Sequence, residues 1–402
     1  MPKKSHKNGS GEGNIRKRRP GLWEARYTSG RDSQTGKQIQ KSVYGKTREE
    51  VSKKLTEIKS CIDKGDYTEP SKLTIGEWVS RWLESYARMS LKASTFENYS
   101  ILARVHIIPE IGKIPISQIR TADLQDFYNR KFREGKVIVK GGITERSALS
   151  VSTVKHIHYI IHAAFKQAKI ERLIPVNPDD ACVLPRDEKR KVNALPFNIL
   201  ATFLEEAAKG SHYAMLYLDL STGLRRGELL GLKWADIGFE NKCLTVSRQL
   251  VRTNKQLNFT TLKTDLSNRT MRIPDSAVEV LLEHRSIQDE MRKSTGAIWN
   301  DNDLVFCNEL GNPLDPSGVY HYYKRLTKRL GLDESRFHDL RHTFATIALQ
   351  SGVDIKTIQE SLGHYSPAFT LQVYGHVTKH MQDSAAQKVD TFLTGYTKPK
   401  GE

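Results

Sequence analysis

The stretch His338-Asp339-Leu340-Arg341-His342, continued by Thr343-Phe344-Ala345, is the strongest motif of this 402-residue chain. Residues i and i+3 share one face of a helix, so His338 and Arg341 can converge on one phosphate group. The residues that continue the motif predict a helix that is buried on its other side. A core histidine beside a salt-bridged arginine is the alternative interpretation. The motif therefore predicts a helix that carries one edge of an anion site.

Upstream, Thr222-Gly223-Leu224-Arg225-Arg226-Gly227-Glu228 follows the apolar segment 215–220. Gly223 can end that helix, and the leucines after Glu228 begin the next one. Arg225 is therefore predicted at a helix junction, where backbone N–H groups can also face an anion. Its guanidinium offers a planar fork of donors for two phosphate oxygens. A surface arginine, or one in a salt bridge with Glu228, is the alternative.

Downstream, Leu362-Gly363-His364 precedes Tyr374, which lies in Gln372-Val373-Tyr374-Gly375-His376. A phenol has a pKa of about 10 and is a poor nucleophile near neutral pH, but cationic neighbours make its phenolate easier to form. Tyrosine attack on a phosphodiester gives a covalent phosphotyrosine, which keeps the bond energy for religation. Tyr365 is the rival nucleophile. It directly follows His364, however, so no intervening residues let the chain bring its side chain to the same phosphate. A packed tyrosine with a satisfied hydroxyl is the alternative for Tyr374.

Between these motifs, residues 243–251, 256–262 and 269–273 form three runs with the composition of strands. Lys263 lies at the turn between the second and third runs. A mobile lysine there could reach into a groove of DNA and protonate a leaving oxygen. A solvated lysine is the alternative, and Lys242 and Lys255 are other candidates in the same cluster.

Several site classes are not indicated by the sequence. It has no G-x-x-x-x-G-K-[ST] loop for nucleotide hydrolysis and no clustered acidic motif of the two-metal nuclease type. His156, His158 and His162 have no acidic or cysteine partner at ligand spacing beside them. We therefore expect no metal and no cofactor, with charge stabilisation supplied by fixed cationic side chains.

The charge of the chain favours a polyanion as partner. There are 63 Lys and Arg against 46 Asp and Glu, which gives a net charge of +17, and the sequence pI is about 9.5. Residues 1–70 alone carry 17 basic and 9 acidic side chains, a net of +8. A basic end of this kind usually follows a phosphate backbone. The residues predicted to contact DNA are Arg16, Lys17, Arg18, Arg19, Arg26, Lys41, Arg186, Lys189 and Arg190.

The chain is predicted to be multidomain and mainly α with small β parts. Residues 14–44 predict three short strands, and Thr47 with Glu50 predicts the capped start of a following helix. Residues 74–175 predict helices, with a capping box at Thr74 and Glu77 and an apolar stripe that runs to Tyr86. Segment 136–148 interrupts the helices as a loop or short hairpin. After the prolines at 175–185 and a charged connector, residues from about 195 predict helices around the strand cluster.

Taken in order, T-G-L-R-R-G-E, L-K-T, H-D-L-R-H, L-G-H and V-Y-G-H resemble the motifs of the tyrosine recombinase (phage integrase) family. The arrangement is similar to integrases of bacterial conjugative transposons. The resemblance implies an arm-type DNA-binding domain at 1–68, with a flexible basic tail, and a helical core-binding domain at 74–180. It also implies a mixed α/β catalytic domain at 192–396 that ends in a C-terminal tail.

The resemblance also implies roles for individual residues. Arg225 and Arg341 would clamp the scissile phosphate, while His338 and His364 would hydrogen-bond its oxygens and assist proton transfer. Lys263 would be the general acid for the 5′-hydroxyl leaving group. Tyr374 would attack and form a 3′-phosphotyrosine link. Glu228 would orient the site without touching the phosphate.

The expected function is site-specific recombination that integrates and excises a mobile element without a metal. A type IB topoisomerase-like enzyme and a non-catalytic DNA-binding regulator are the alternatives. The resemblance implies double-stranded DNA at the element ends and target site as partner, and a homotetramer held by the tail at residues 377–396. An excisionase or DNA-bending protein is a further implied partner. We expect no membrane association and a place at the bacterial nucleoid in the cytoplasm.

Overall fold

The computed structural model describes residues 15–31, 35–63, 72–140, 143–186, 193–262, 268–363, 386 and 389–394. The chain divides into two compact units, Met1–Asp187 and Glu188–Glu402. Their boundary falls in the charged connector that follows the prolines. The finer division of the first unit, into residues 1–68 and 74–180, stays a prediction.

The first unit combines a small sheet, a group of helices and a hairpin. Its elements in chain order are β1 (Ile15–Arg19), β2 (Leu22–Arg31), β3 (Gln38–Gly45), α1 (Arg48–Asp63), α2 (Ile75–Trp82), α3 (Arg88–Ser90), α4 (Ala93–Leu102), α5 (Ile108–Ile111), α6 (Thr121–Glu134), β4 (Lys136–Lys140), β5 (Ile143–Ser147) and α7 (Val151–Ile170). The π-helical turns Leu83–Ala87 and Ala103–Ile107 connect α2 to α3 and α4 to α5.

The strands β1, β2 and β3 form an antiparallel sheet in that order. Ala25 of β2 is buried together with Val51 and Leu55 of α1. Because successive strand residues point to opposite faces, Glu24 and Arg26 lie on the face away from this small core. The prediction of a three-stranded sheet followed by a helix is confirmed.

The helical part of the first unit packs around α2 and α7. Trp78 is fully buried, and its Nε1 donates a hydrogen bond of 2.8 Å to the carbonyl of Ala164. The predicted capping box of Thr74 and Glu77 is confirmed, as are the predicted helices and a hairpin of β4 with β5. The apolar stripe was predicted to reach Tyr86, which is 36% exposed. Tyr86 lies in a π-helical turn, which changes the rotation per residue and so moves it off the buried face.

The second unit consists of helices around two small antiparallel sheets. Its elements are α8 (Phe197–Ala208), α9 (Tyr213–Thr222), α10 (Arg226–Leu230), β6 (Ile237–Gly238), β7 (Cys243–Val246), β8 (Arg248–Thr253), β9 (Gln256–Thr261), β10 (Arg269–Arg272), α11 (Asp275–Thr295), α12 (Pro316–Arg329), α13 (Asp339–Gln350) and α14 (Ile355–Leu362). Residues 389–394 are also helical. No helix in the described part of the chain has the length and apolar character needed to cross a membrane.

The interpretation of residues 243–251 as one strand is wrong. β7 ends at Val246 and pairs with β6 and β10, whereas β8 begins at Arg248 and pairs only with β9 in the described sheets. The chain therefore changes partners at Ser247. Composition predicts extended backbone for both halves, but the partner of each half is a long-range property that composition does not contain.

The core of the second unit is built around α9. Met215, Leu216 and Leu218 of this helix are at most 1% exposed, and they belong to one apolar cluster shared with the other helices and the sheet. Asp219 is the exception to this apolar character, since it is only 1% exposed. A helix packed so closely holds its C-terminal end, at Gly223, in one place.

Candidate active site

The junction between α9 and α10 carries the first candidate residue. Gly223 ends α9 with a φ of 63°, in the left-handed region that favours glycine. A Cβ on Gly223 would lie 2.5 Å from the ring of Phe344 and 2.8 Å from Leu362. The chain then enters α10 with Arg225 as the residue before its first turn. The predicted helix junction at Arg225 is confirmed.

The Glu228 carboxylate accepts a hydrogen bond from the backbone N–H of Arg225, which was expected to face an anion. Its Oε2 accepts from the backbone N–H of Arg225 at 3.1 Å, and its Oε1 accepts from Arg225 Nη1 at 2.6 Å. The carboxylate is 1% exposed. The alternative interpretation, a salt bridge between Arg225 and Glu228, is therefore confirmed. A guanidinium carries five N–H donors, however, and the Arg225 side chain stays 38% exposed, so it can bind Glu228 and a phosphate together.

A third arginine, Arg269, shares Glu228, and the sequence reasoning missed it. Its Nη2 donates to Glu228 Oε2 at 2.8 Å, and its Nε donates to the carbonyl of Ser361 at 2.7 Å. The side chain is 8% exposed. Arg269 and the buried Met271 lie two apart in β10 and therefore on the same inward face of the strand. That spacing was the available signal, because an arginine on an inward face needs a buried partner.

The ionisation of Glu228 reflects its two arginine partners. Burial by itself would favour the neutral acid. The guanidinium groups of Arg269 and Arg225 outweigh that effect and hold the pKa of Glu228 below its ordinary value. Glu228 is thus ionised, and its carboxylate holds the guanidinium groups of Arg225 and Arg269 in place.

Arg341 is buried in the first turns of α13, and it is 2% exposed. Its Nη1 donates to the carbonyl of Gly223 at 2.7 Å, and its Nη2 donates to the carbonyl of Leu362 at 2.5 Å. Arg341 therefore ties the end of α9 to the end of α14. The predicted helix is confirmed, with α13 beginning at Asp339 directly after His338.

His338 directly precedes α13, and it is accessible to solvent although part of it packs against its neighbours. Desolvation on the packed side, together with the nearby His342 and Arg341, lowers the pKa of His338 to about 4. Arg225 acts in the same direction, so this imidazole lies within electrostatic range of both arginines. At neutral pH the ring is uncharged and can accept a proton.

Asp219 is a further charged group that the sequence did not reveal. It is buried in α9, and among the described residues neither carboxylate oxygen has a hydrogen-bond partner. Desolvation raises the pKa of Asp219 well above its ordinary value, and Glu228 acts in the same direction, although Arg341 opposes them. Burial therefore favours the protonated, neutral form of Asp219.

Three of the predicted catalytic residues lie outside the described residues: Lys263, His364 and Tyr374. The residues directly before Lys263 and His364 are described, since Leu262 is buried beside the strands and Gly363 ends α14. The structure brings together Arg225, His338, Arg341 and Glu228. The roles of all seven residues stay predictions.

The predicted DNA-contacting arginines Arg16, Arg18 and Arg26 surround Glu24 on the N-terminal sheet. Their Nε atoms lie 2.7, 2.5 and 3.5 Å from the Glu24 carboxylate, which is 1% exposed. Lys17 lies over the ring of Trp23 at 6.0 Å. Arg19 and Arg186 are exposed and Lys41 is half-buried, while Lys189 and Arg190 lie outside the described residues. Whether these residues contact DNA stays a prediction.

The histidines of α7 have acidic neighbours that sequence spacing could not show. His158 Nδ1 lies 3.0 Å from Asp179 Oδ2, and His162 Nε2 lies 3.1 Å from Asp180 Oδ1. Tyr128 also donates to Asp179 at 2.8 Å. Throughout the described ranges, no group of three or more His, Cys, Asp or Glu side chains is arranged to hold a metal ion.

Comparison with known proteins matches both units of the chain. Residues 195–381 match the phage integrase family, and residues 74–132 match the phage integrase N-terminal SAM-like domain. The tyrosine recombinase XerC-like protein of Caldanaerobacter subterraneus subsp. tengcongensis is 33% identical over 390 residues, which cover 91% of this chain and 95% of that protein. The ICEBs1 integrase of Bacillus subtilis is 24% identical, with 94% of this chain and 100% of the relative covered.

Solved structures share the fold. The Tn1549 transposon integrase, in complex with a circular intermediate DNA, aligns with a TM-score of 0.63 at 22% identity and covers 80% of this chain and 99% of that chain. A lambda integrase dimer bound to a COC′ core site aligns with a TM-score of 0.56 at 21% identity, covering 92% and 96%. From the family match and the relative at 33% identity, the chain belongs to the phage integrase family and is a tyrosine-type site-specific recombinase.

Proposed function

We propose that this recombinase integrates and excises a mobile DNA element, and that Tyr374 cleaves the DNA strand. The observation that carries the proposal is the convergence of Arg225 and Arg341 on the carbonyls of Gly363 and Leu362 at the end of α14, with the His338 imidazole within electrostatic range of both arginines. Fixed donors of this kind stabilise charge that develops on a phosphate and need no rearrangement during the reaction. Integrases of mobile elements among the relatives support the choice of substrate.

The proposed reaction is a transesterification in which one phosphodiester replaces another. The Tyr374 oxygen forms a bond to phosphorus, the bond to the 5′-oxygen breaks, and the product is a 3′-phosphotyrosine. The phenol proton passes to a neutral acceptor such as His338, and the 5′-oxygen receives a proton from Lys263. Because the bond energy is kept in the ester, reversal by another 5′-hydroxyl joins strands without a nucleotide cofactor.

The partners follow from the same proposal. Double-stranded DNA at the element ends and the target site is the substrate, as in the DNA complexes of the Tn1549 and lambda integrases. The helix at 389–394 exposes Val389, Phe392 and Leu393 by 58, 65 and 58%, which supports packing of the tail on a neighbouring subunit in a tetramer. An excisionase or DNA-bending protein would set the direction of recombination.

A suicide substrate tests the chemistry. A duplex nicked close to the cut site traps the covalent intermediate, because the short strand beyond the nick diffuses away after cleavage. We expect a detergent-stable conjugate of protein and oligonucleotide with the unaltered protein and with Tyr365→Phe. We expect none with Tyr374→Phe.

Two outcomes would contradict the proposal. Absence of a conjugate with the unaltered protein would indicate a DNA-binding regulator. Relaxation of supercoiled plasmid without strand exchange between two short duplexes that carry the element ends would indicate a topoisomerase-like enzyme.

A further inference from the structure

The last turn of α14 accepts hydrogen bonds from three arginines on three consecutive carbonyls. Arg269 Nε donates to Ser361 at 2.7 Å, Arg341 Nη2 donates to Leu362 at 2.5 Å, and Arg225 Nη2 donates to Gly363 at 3.0 Å. The donors come from β10, from α13 and from the junction of α9 with α10. Elements that are distant in sequence are therefore fixed to one helix end.

A helix C-terminus is suited to this arrangement. Its last carbonyls have no partner within the helix, and the aligned peptide dipoles make this end negative. Gly363 ends α14 in the left-handed region at φ 60°, and its N–H donates to the carbonyl of Glu360 at 3.0 Å. A Cβ on Gly363 would lie 3.2 Å from Arg269 Nη1. Both the backbone and the arginines thus set the direction in which the chain leaves α14 towards His364.

Glu228 closes these contacts into a ring. From the Ser361 carbonyl the ring runs through Arg269 to Glu228, then through Arg225 to the Gly363 carbonyl. The backbone from Ser361 through Leu362 to Gly363 completes the ring. We call this closed path the arginine ring. Because it is closed, Arg225 cannot move relative to the end of α14 unless one of its hydrogen bonds breaks.

We infer that Arg269 is a positioning residue for strand cleavage, which holds Glu228, and through it Arg225, in register with the end of α14. Arg269 is buried and acts through Glu228 and the Ser361 carbonyl, not on the DNA. The inference rests on the proposed function, in which Arg225 binds the scissile phosphate and His364 assists. Lysine cannot replace arginine here, because one ammonium group cannot present the planar fork that spans both acceptors.

The test uses the full chain with Arg269→Lys and, as matched control, Arg272→Lys. Arg272 lies in the same strand, is exposed and donates to the carbonyl of Asn241, outside the arginine ring. We expect Arg269→Lys to slow single-turnover cleavage of the suicide substrate by about 10- to 100-fold, the range that a small misplacement of a reacting group produces. Affinity for the uncut duplex should stay within about threefold, since phosphate contacts elsewhere dominate binding.

A double-mutant cycle with Glu228→Gln separates positioning from a general weakening of the fold. If Arg269 acts through Glu228, the two substitutions together should slow cleavage no more than the stronger of them alone. Multiplied effects would overturn the inference. So would cleavage by Arg269→Lys at the rate of Arg272→Lys, or an equal loss of duplex affinity and cleavage.

Hydrogen exchange of the DNA-free protein distinguishes failure of this inference from failure of the proposed function. Arg269→Lys should speed amide exchange in peptides that cover residues 222–230 and 355–363, whereas Arg272→Lys should not. If the unaltered protein forms no conjugate, the proposed function fails and the exchange result still decides whether the ring fixes these segments. Unchanged exchange in both peptides would overturn the positioning role.

Discussion

Two regions of this chain gather arginines around a buried carboxylate, three around Glu24 and two around Glu228, but they hold them differently. On the N-terminal sheet, Arg16, Arg18 and Arg26 meet Glu24 through Nε, and their side chains stay 41 to 48% exposed. In the second unit, Arg225 and Arg269 bind Glu228, and these two arginines and Arg341 donate to backbone carbonyls. The side chains of Arg269 and Arg341 are nearly inaccessible to solvent.

The difference shows how one residue type can be used in two ways. The arginines around Glu24 bind it mainly through Nε, with one further bond of 3.4 Å from Arg18 Nη2, so most of their terminal nitrogens stay available and can adapt to the position of a DNA backbone. Arg225, Arg269 and Arg341 each donate from two of their nitrogens to acceptors within the second unit, and an arginine held in this way has little freedom left and suits a reacting phosphate. If this comparison is correct, substitutions in the second unit should have large effects on chemistry, and those on the sheet should have small effects on binding.

The largest effect is expected from Arg225→Lys. Lysine keeps the charge but cannot bind Glu228, the Gly363 carbonyl and a phosphate at once. We expect cleavage of the suicide substrate to fall by about 10²- to 10³-fold, the range for loss of one preorganised donor, with little change in duplex affinity. Arg16→Lys on the sheet is the matched control and should cleave normally. An equal loss of binding and cleavage by Arg225→Lys would contradict its place at the phosphate.

The next largest effect is expected from Gly223→Ala, because the carbonyl of Gly223 accepts a hydrogen bond from Arg341. Gly223→Ala combines a positive φ with a Cβ 2.5 Å from Phe344, and should destabilise the second unit by about 2–4 kcal/mol. Gly21→Ala is the matched control on the sheet, since its φ is 75° but no atom lies within 4 Å of the added Cβ. It should cost about 1 kcal/mol. Calorimetric unfolding measures both, and equal costs would show that Phe344 can move aside.

Two buried carboxylates should give opposite responses to pH. The pKa of Asp219 is raised in the folded chain, so its contribution to stability is lost as pH rises above about 4. Asp219→Asn should therefore gain stability relative to the unaltered protein as pH rises towards 8, and the gain should shrink towards pH 4.

Glu24 is the comparison for Asp219 on the sheet. Hydrogen bonds from Arg18, Arg16 and Ser42 hold the pKa of Glu24 well below its ordinary value. Its stabilising contribution is thus present above about pH 4.3 and is lost as pH falls. Glu24→Gln should destabilise at pH 7 and much less below pH 4. Thermal unfolding from pH 3.5 to 8 follows both variants, and slopes of the same sign would contradict the assigned shifts.

The smallest effect is expected from Arg16→Gln. Loss of one phosphate contact should lower the slope of log affinity against log salt by about one for duplex DNA. Thr28→Gln, in the same sheet, is a control that changes no charge. Titrations at several salt concentrations measure the slope, and an unchanged slope would remove Arg16 from the DNA-contacting surface.

The sequence predicts those parts of the fold that depend on local pattern. Gly223 predicts the end of α9, the capping box of Thr74 and Glu77 predicts the start of α2, and alternation with turn residues predicts the N-terminal sheet. The partner change at Ser247 and the displaced Tyr86 were missed. The first depends on pairing between distant segments, and the second depends on an irregular helical turn.

The candidate site could be predicted only where its residues belong to short motifs. Arg225, His338 and Arg341 lie in such motifs, whereas Arg269 and Asp219 become interpretable only once strand and helix are packed together. Arg269 in a strand and Asp219 in an apolar helix each look ordinary as single residues. The acceptors of Arg269 lie in α10 and α14, and the charges that act on Asp219 lie in α10 and α13, which no local window contains.

The three consecutive carbonyls at the end of α14 limit how this part of the chain can change in length. One residue inserted or deleted within Ile355–Leu362 rotates everything after it by about 100° and shifts it by about 1.5 Å. Such a change would misalign Ser361, Leu362 and Gly363 with all three donors at once. Substitutions on the outer side of α14 should be tolerated, whereas its residue count should not vary.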